Sequence, residues 1–166
     1  EPFAVLLADD LIMADPGCMK QMMDVYSQIG GNIVASEEVP REHTARYGIL
    51  DVVEDDGRLA RAKGLVEKPS PDRAPSNLCI IGRYILQPEV FEHLGKQEQG
   101  AGGEIQLTDA LAKTIERIPF HGFRFEGTRF DCGDKLGFME ANVAFALARD
   151  DLSDGMREML KKYVKD

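Results

Sequence analysis

The sequence predicts a doubly wound α/β fold with a parallel or mixed sheet. A continuous apolar run at residues 3–7 predicts a buried strand, which is followed by a helical pattern that stops at Gly30-Gly31 and by a second strand at residues 32–39. A strand, a helix and another strand in succession favour a sheet covered by helices. With 166 residues, 43% of them hydrophobic, the chain suits one compact domain with a sizeable core.

The first helix is predicted by apolar residues at helical spacing, Met19, Met22, Met23, Tyr26 and Ile29. We interpret its methionines as core filling. The later elements follow from their own local patterns. They are strand-like pieces at 47–66, a loop at 69–75, a strand at 78–86, helices at 88–94, 104–117 and 135–148, and a half-exposed strand at 120–130.

Two further features organise the chain. Asp55-Asp56-Gly57 predicts a hairpin turn within the strand-like segment. Residues 1–150 are predicted to form the domain, and residues 151–166 a separate C-terminal amphipathic helix that follows it in the chain. We expect this helix to dock on the domain or on a neighbouring subunit. We also expect a homo-oligomer.

Composition excludes several classes of protein. The net charge is -9 and no basic face is visible, which argues against nucleic-acid binding. No apolar run is long enough to span a membrane. Three cysteines without a C-x-x-C pair predict reduced thiols and a cytoplasmic location, and the three scattered histidines do not suggest a zinc site.

Acidic residues follow the first strand and recur near the end of the chain. Asp9 and Asp10 come directly after the strand at 3–7, and Asp131 follows the strand at 120–130. Ligands of open α/β sheets gather at the carboxyl ends of strands, and carboxylates are suitable ligands for Mg²⁺. A solvated loop carboxylate or a helix cap explains Asp9 equally well, and an N-cap role explains Asp134.

Of two further motifs, one suits contacts with a ligand and the other does not. In Glu67-Lys68-Pro69, the glutamate suits sugar hydroxyls and the lysine suits a phosphate, although a surface ion pair is the alternative. The glycine-rich segment at 100–103 lacks the full G-x-G-x-x-G pattern, and we interpret it as a flexible turn.

Seven short stretches follow one another in a fixed order along the chain. They are FAVLLADD at 3–10, RYG at 46–48, VEKP at 66–69, APSNL at 74–78, IGRY at 81–84, GEIQLTDA at 103–110 and DCGDKLG at 131–137. This series resembles that of bacterial glucose-1-phosphate uridylyltransferases, and the stretches E-I-Q-L-T-D and D-C-G-D-K-L-G are specific to that family.

This resemblance implies an incomplete nucleotide-diphospho-sugar transferase fold, Rossmann-like with a mixed sheet. It also implies a Mg²⁺-dependent reaction of UTP with glucose 1-phosphate that gives UDP-glucose and pyrophosphate. The implied site residues are Asp9 and Asp131 as magnesium ligands, Glu67 and the Gly48 backbone at the glucose hydroxyls, Lys68 at the sugar phosphate, Asn77 and Gly82 in the sugar pocket, and Lys135 near the phosphates.

The chain departs from the family pattern in two places. Ala8 stands where the family commonly has proline, and the Gly-rich G-x-G-T-R loop that binds the nucleotide is absent. Since Glu1-Pro2-Phe3 also lacks an initiator methionine, we expect a piece without its N-terminal nucleotide-binding part. We expect that piece alone to be inactive. Two alternatives are another sugar-1-phosphate nucleotidyltransferase, for example a thymidylyl enzyme, and a non-catalytic assembly module with an exposed strand edge.

Overall fold

The computed structural model describes residues 1–96 and 105–164, which contain eight strands and five α-helices. A short 3₁₀ helix, Arg41–Arg46, lies between the third and fourth strands. The strands are β1 Phe3–Leu6, β2 Asp10–Met13, β3 Asn32–Glu38, β4 Gly48–Asp55, β5 Leu59–Glu67, β6 Leu78–Leu86, β7 Phe120–Arg124 and β8 Thr128–Asp131. The helices are α1 Cys18–Ile29, α2 Val90–Leu94, α3 Leu107–Thr114, α4 Lys135–Leu147 and α5 Ser153–Tyr163.

Six strands form one mixed sheet in the order β1-β6-β3-β7-β5-β4. β3 pairs in parallel with β7 and antiparallel with β6, and β6 also pairs antiparallel with β1. The predicted mixed α/β sheet is therefore confirmed. β1 and β3 correspond to the two strands predicted on either side of the first helix. They are parallel but not adjacent, because the antiparallel β6 lies between them.

The sheet is covered on both faces, which explains why β6 is buried along its whole length. Alternate side chains of β3 and β6 point to opposite faces, and each face has its own apolar core. One core includes Val34, Leu50, Leu78, Leu86, Leu111 and Phe120, and the other includes Met22, Ile33, Ile49, Ile81, Ile85 and Phe123.

The predicted hairpin at residues 55–57 is confirmed between β4 and β5. The Asp56 carboxylate accepts hydrogen bonds from the backbone N–H groups of Arg58 and Leu59, and Asp55 accepts one from Gly57. Gly57 has a φ of 89°, a conformation that favours glycine. The local sequence therefore specifies this turn.

The prediction of a single strand at 120–130 is wrong, because the structure has two strands in this segment. The chain turns at Gly127, whose φ is 147° and where a Cβ would lie 2.7 Å from the Ala14 Cβ. β8 then leaves the main sheet and pairs with β2, so that Asp10 lies opposite Asp131. β2 was not predicted either, since its four residues follow β1 almost directly.

The first strand also differs from the expectation of a buried strand. β1 ends at Leu6, and Ala4, Leu6 and Leu7 are exposed. β1 lies at one edge of the six-stranded sheet, so its side chains have fewer neighbours than those of the central strand β6.

The helices lie where they are predicted, but several begin later or end earlier than expected. α3 spans Leu107–Thr114, and residues 100–103 and Glu104 lie outside the described residues. The tail helix exists as α5 and packs beside α4, with Met156 half-buried and Tyr163 exposed. Within residues 1–96 and 105–164, every helix is too short or too polar to cross a membrane.

Candidate active site

The structure contains a cavity of about 430 Å³ beside the ends of several strands. It lies where β1 leads into β2, where β5 and β8 end, and where β4 and α3 begin. The lining residues are Leu7, Asp9, Asp10, Arg46, Tyr47, Gly48, Glu67, Lys68, Ile80, Ile81, Gly82, Tyr84, Gln106, Leu107, Thr108, Arg129 and Asp131.

Asp9 and Asp131 meet at one end of this cavity. The backbone N–H of Cys132 donates to the Asp9 carbonyl over 2.7 Å, which ties the two segments together. A Cβ placed on Gly133 would lie 3.1 Å from Asp131 Oδ1 and 3.5 Å from Asp9 Oδ2. The two carboxylates therefore face the same space above Gly133.

The two carboxylates differ in their surroundings. Asp131 Oδ2 accepts hydrogen bonds from Tyr47 and Arg46, both over 3.3 Å, and Oδ1 accepts one from the Gly133 N–H over 3.1 Å. The Asp9 side chain is exposed and has no hydrogen-bond partner among the described residues. Asp9 is thus free to contact a ligand, while Asp131 is held in place.

This pair suits a hard divalent cation such as Mg²⁺, which takes one or two carboxylates and completes its shell with phosphate or water oxygens. Residues 1–96 and 105–164 contain no group of three or more His, Cys, Asp or Glu that could bind a metal without such help. Two carboxylates fit such a cation when phosphate or water oxygens complete its coordination shell.

Asp10 has a different role from its neighbour, and sequence reasoning missed it. Its Oδ1 lies 2.5 Å from Arg129 Nε, and its Oδ2 accepts the Gly82 N–H over 2.9 Å. Both side chains of the ion pair are nearly buried, at 12% and 8% exposure. Burial disfavours the charged guanidinium, but the Asp10 carboxylate outweighs it and holds the pKa of Arg129 above its usual range.

Arg129 also connects the ion pair to the rest of the site. Its Nη1 lies 3.5 Å from Glu37 Oε2, and its guanidinium lies 5.2 Å from the centre of the Tyr47 ring. That distance is typical of a cation–π contact. Because Tyr47 donates to Asp131, the buried pair supports the exposed carboxylate end of the cavity.

Glu67 and Lys68 lie at another wall of the cavity. Glu67 is the last residue of β5 and pairs with Gly48 of β4. Its side chain is 14% exposed, and its Oε2 accepts the Thr108 hydroxyl over 2.6 Å. Lys68 Nζ lies 3.6 Å from Glu67 Oε1. Glu67 is therefore mostly buried and oriented, unlike a member of a solvated surface pair.

Two backbone features shape this wall. Lys68 has a positive φ of 46°, which for a residue with a side chain costs on the order of 1 kcal/mol, and its N–H donates to the Tyr47 carbonyl over 3.0 Å. A Cβ on Gly48 would lie 3.3 Å from Glu67 Oε2 and 3.0 Å from Ile80 Cδ1. A side chain at position 48 would therefore crowd Ile80 and the Glu67 carboxylate, which would have to move by a few tenths of an ångström.

The structure does not bring every predicted site residue into the cavity. Asn77 is exposed just before β6, and its carbonyl accepts the Val39 N–H. Lys135 is exposed at the first position of α4. Neither residue lines the cavity, so both remain predictions without geometric support. The predicted residues that do line it are Asp9, Gly48, Glu67, Lys68, Gly82 and Asp131.

The D-C-G-D-K-L-G stretch is explained by the turn between β8 and α4. Asp134 is the N-cap of α4, and its carboxylate accepts the N–H groups of Leu136 and Gly137 over 2.9 and 3.2 Å. A side chain at Gly137 would collide with the Asp131 carbonyl. The motif therefore places Asp131 at a fixed position beside the helix start, and the N-cap interpretation of Asp134 is correct.

Gly82→Ala is expected to destabilise the protein by about 1–3 kcal/mol, because overpacking forces the surroundings to move. A Cβ at this position would lie 2.7 Å from the Leu7 Cβ and 2.8 Å from Asp10 Oδ2. Chemical denaturation measures the change. Gly155→Ala is the matched control, since nothing lies within 4 Å of its Cβ in α5, and it should be neutral or stabilising. Equal stability of the two variants would contradict the close packing at Gly82.

Comparison with known proteins places the chain among nucleotide-processing transferases. The family model described as nucleotidyl transferase matches residues 1–147. The UTP--glucose-1-phosphate uridylyltransferase of Komagataeibacter xylinus is 58% identical over 136 residues, covering 82% of this chain and 48% of that protein. The protein of the same name from Staphylococcus haemolyticus (strain JCSC1435) is 45% identical over 166 residues, covering 100% and 56%.

A solved structure shows the same likeness. The crystal structure of a UDP-glucose pyrophosphorylase complexed with UDP-glucose is 42% identical and has a TM-score of 0.84. The match covers 90% of this chain and 57% of the other. The chain spans about half the length of the curated relatives it matches.

Proposed function

Because the chain belongs to the nucleotidyl transferase family, we propose that the whole protein transfers UMP from UTP to glucose 1-phosphate, forming UDP-glucose and pyrophosphate. One observation carries the proposal: Asp9 and Asp131 share a single cavity with Glu67 and Lys68. At one wall, the carboxylates of Asp9 and Asp131 suit a divalent cation that also binds phosphate. At another wall, the Glu67 carboxylate suits the sugar hydroxyls and the Lys68 ammonium group suits the sugar phosphate. The relatives named UTP--glucose-1-phosphate uridylyltransferase and the solved UDP-glucose pyrophosphorylase support this choice of substrates.

The reaction needs positioning and charge neutralisation more than acid–base chemistry. A phosphate oxygen of glucose 1-phosphate forms a bond to the α-phosphorus of UTP, and the bond to pyrophosphate breaks in line with it. The attacking oxygen is already anionic, so no group has to remove a proton. The cavity is lined by carboxylates and cations, among them Asp131, Arg46 and Lys68, which suit positioning and charge neutralisation.

The chain's own residues have separate roles in this proposal. Glu67 accepts hydrogen bonds from glucose hydroxyls beside the Gly48 backbone, and Lys68 binds the sugar phosphate as a point charge. Asp9 and Asp131 would hold Mg²⁺, which when bound neutralises charge on the reacting phosphates. The Asp10–Arg129 pair and Tyr47 keep Asp131 in position.

The proposal is tested by measuring pyrophosphate release by the whole protein with UTP or dTTP and with glucose 1-phosphate or galactose 1-phosphate. We expect UTP with glucose 1-phosphate to have the highest kcat/KM and the activity to disappear when EDTA removes the divalent cation. A preference for dTTP would favour the thymidylyl alternative. No release with any pair would overturn the proposed reaction.

We propose that the 166-residue piece alone is inactive, because it spans about half the length of its relatives. The alternative of a non-catalytic assembly module depends on β1, which lies at one edge of the sheet and leaves Leu6 exposed. The shared cavity has no role in such a module, and for this reason we favour the enzyme.

A homo-oligomer and a cytoplasmic location also remain proposals. Cys18, Cys79 and Cys132 are all free thiols, which supports a reducing compartment. Burial raises the pKa of Cys18 and of Cys79 to about 11, so these two thiols remain protonated and unreactive near neutral pH.

A further inference from the structure

We propose that Thr108 is a positioning residue that determines which oxygen of Glu67 meets the sugar. This inference rests on the proposed function and assigns a role within the same site. Thr108 is the second residue of α3 and is 7% exposed. Its hydroxyl lies 2.6 Å from Glu67 Oε2, in contact with the end of β5.

The two oxygens of Glu67 have different neighbours. Oε2 accepts the Thr108 hydroxyl and lies against Gly48, where a Cβ would be 3.3 Å away. Oε1 lies 3.6 Å from Lys68 Nζ, which is exposed. The protein therefore occupies Oε2, and Oε1 is the oxygen placed beside the cation that would bind the sugar phosphate.

This arrangement fixes the carboxylate before the sugar arrives. A hydrogen bond to an ionised carboxylate is shorter and stronger than one between neutral groups, and a buried one restricts rotation of the side chain. Without it, Glu67 would turn between several orientations, and sugar binding would have to select one. Thr108 thus contributes to affinity for the sugar and to the choice between sugar epimers, without touching the reacting atoms.

Thr108→Val in the whole protein is the direct test, because valine keeps the shape and removes the hydroxyl. We expect the KM for glucose 1-phosphate to rise about 10- to 100-fold, the effect of losing a hydrogen bond to a charged group. The KM for UTP should stay within about twofold, and the preference for glucose 1-phosphate over galactose 1-phosphate should fall. Thr108→Ser keeps the hydroxyl and should restore the KM for glucose 1-phosphate to within about threefold of the starting protein.

A double-mutant comparison separates this role from a merely structural one. In a Glu67→Ala background, Thr108→Val should raise the KM for glucose 1-phosphate much less, because the side chain that accepts the Thr108 hydrogen bond is gone. An equal rise in both backgrounds, an unchanged KM in Thr108→Val, or an equal rise in the KM for UTP would each overturn the inference. Should Thr108→Val not fold, Thr108→Ala must show the same effect on the KM for glucose 1-phosphate, and an unchanged KM there would overturn it too.

The outcome for the unmodified protein distinguishes the two proposals. If it forms no UDP-glucose, the proposed function fails and the role of Thr108 fails with it. If it is active and Thr108→Val is indistinguishable from it, only the role of Thr108 is overturned.

Discussion

Asp9→Asn in the whole protein is expected to reduce turnover about 10²- to 10³-fold. Loss of a metal ligand weakens binding of the cation, which would stabilise the charge of the transition state by several kcal/mol. The fold should be unaffected, since Asp9 is exposed and its side chain has no hydrogen-bond partner among the described residues. Changes in stability at such positions are usually within about 0.5 kcal/mol. Asparagine keeps the shape of the side chain and removes the charge, so the change isolates the carboxylate.

The measurement is initial-rate UDP-glucose formation over a series of Mg²⁺ concentrations, with thermal unfolding as the check on folding. Asp9→Asn should also need more Mg²⁺ for half-maximal rate. Asp150→Asn is the matched control, because Asp150 is exposed beyond α4 and does not line the cavity. Turnover of Asp9→Asn within about threefold of the starting protein would contradict its role as a metal ligand.

Asp10→Ala is expected to destabilise the protein by about 3–5 kcal/mol. The neighbouring substitution at Asp9, by contrast, is expected to leave stability nearly unchanged. Asp10→Ala leaves the buried guanidinium of Arg129 without its closest partner and removes the acceptor of the Gly82 N–H. Glu37 lies 3.5 Å from Arg129 and compensates only in part, since its side chain is 42% exposed.

Urea denaturation of the two proteins measures this difference. Asp24→Ala is the control for loss of an ion pair at the surface, because Asp24 pairs with Lys20 on α1 and both side chains are more than half exposed. That pair should contribute about 0–1 kcal/mol. A loss of less than about 1 kcal/mol in Asp10→Ala would show that the Asp10–Arg129 pair is solvated and does not support the site.

Local patterns in the sequence predict much of this fold. The hairpin at Asp55-Asp56-Gly57 follows from side-chain and glycine turn chemistry within three residues. The Asp134 cap follows in the same way from its own helix start. The position of Asp9 directly after an apolar strand predicts a carboxylate at the carboxyl end of that strand. In the structure, Asp9 lies there and lines the cavity.

The missed features depend on contacts between distant parts of the chain. β2 and β8 are four residues each, and only their pairing brings Asp10 opposite Asp131. No local pattern assigns Arg129 to Asp10 or Thr108 to Glu67, since each pair is distant in sequence. Asp9 and Asp10 are adjacent residues of the same type, and only the structure shows that the Asp9 side chain is exposed whereas that of Asp10 is mostly buried.

The most direct test of the account is a crystal structure of the whole protein with UDP-glucose and Mn²⁺, using anomalous scattering to locate the metal. The account predicts manganese between the carboxylates of Asp9 and Asp131 and the glucose hydroxyls against Glu67. Manganese at another position, or glucose away from Glu67, would contradict it.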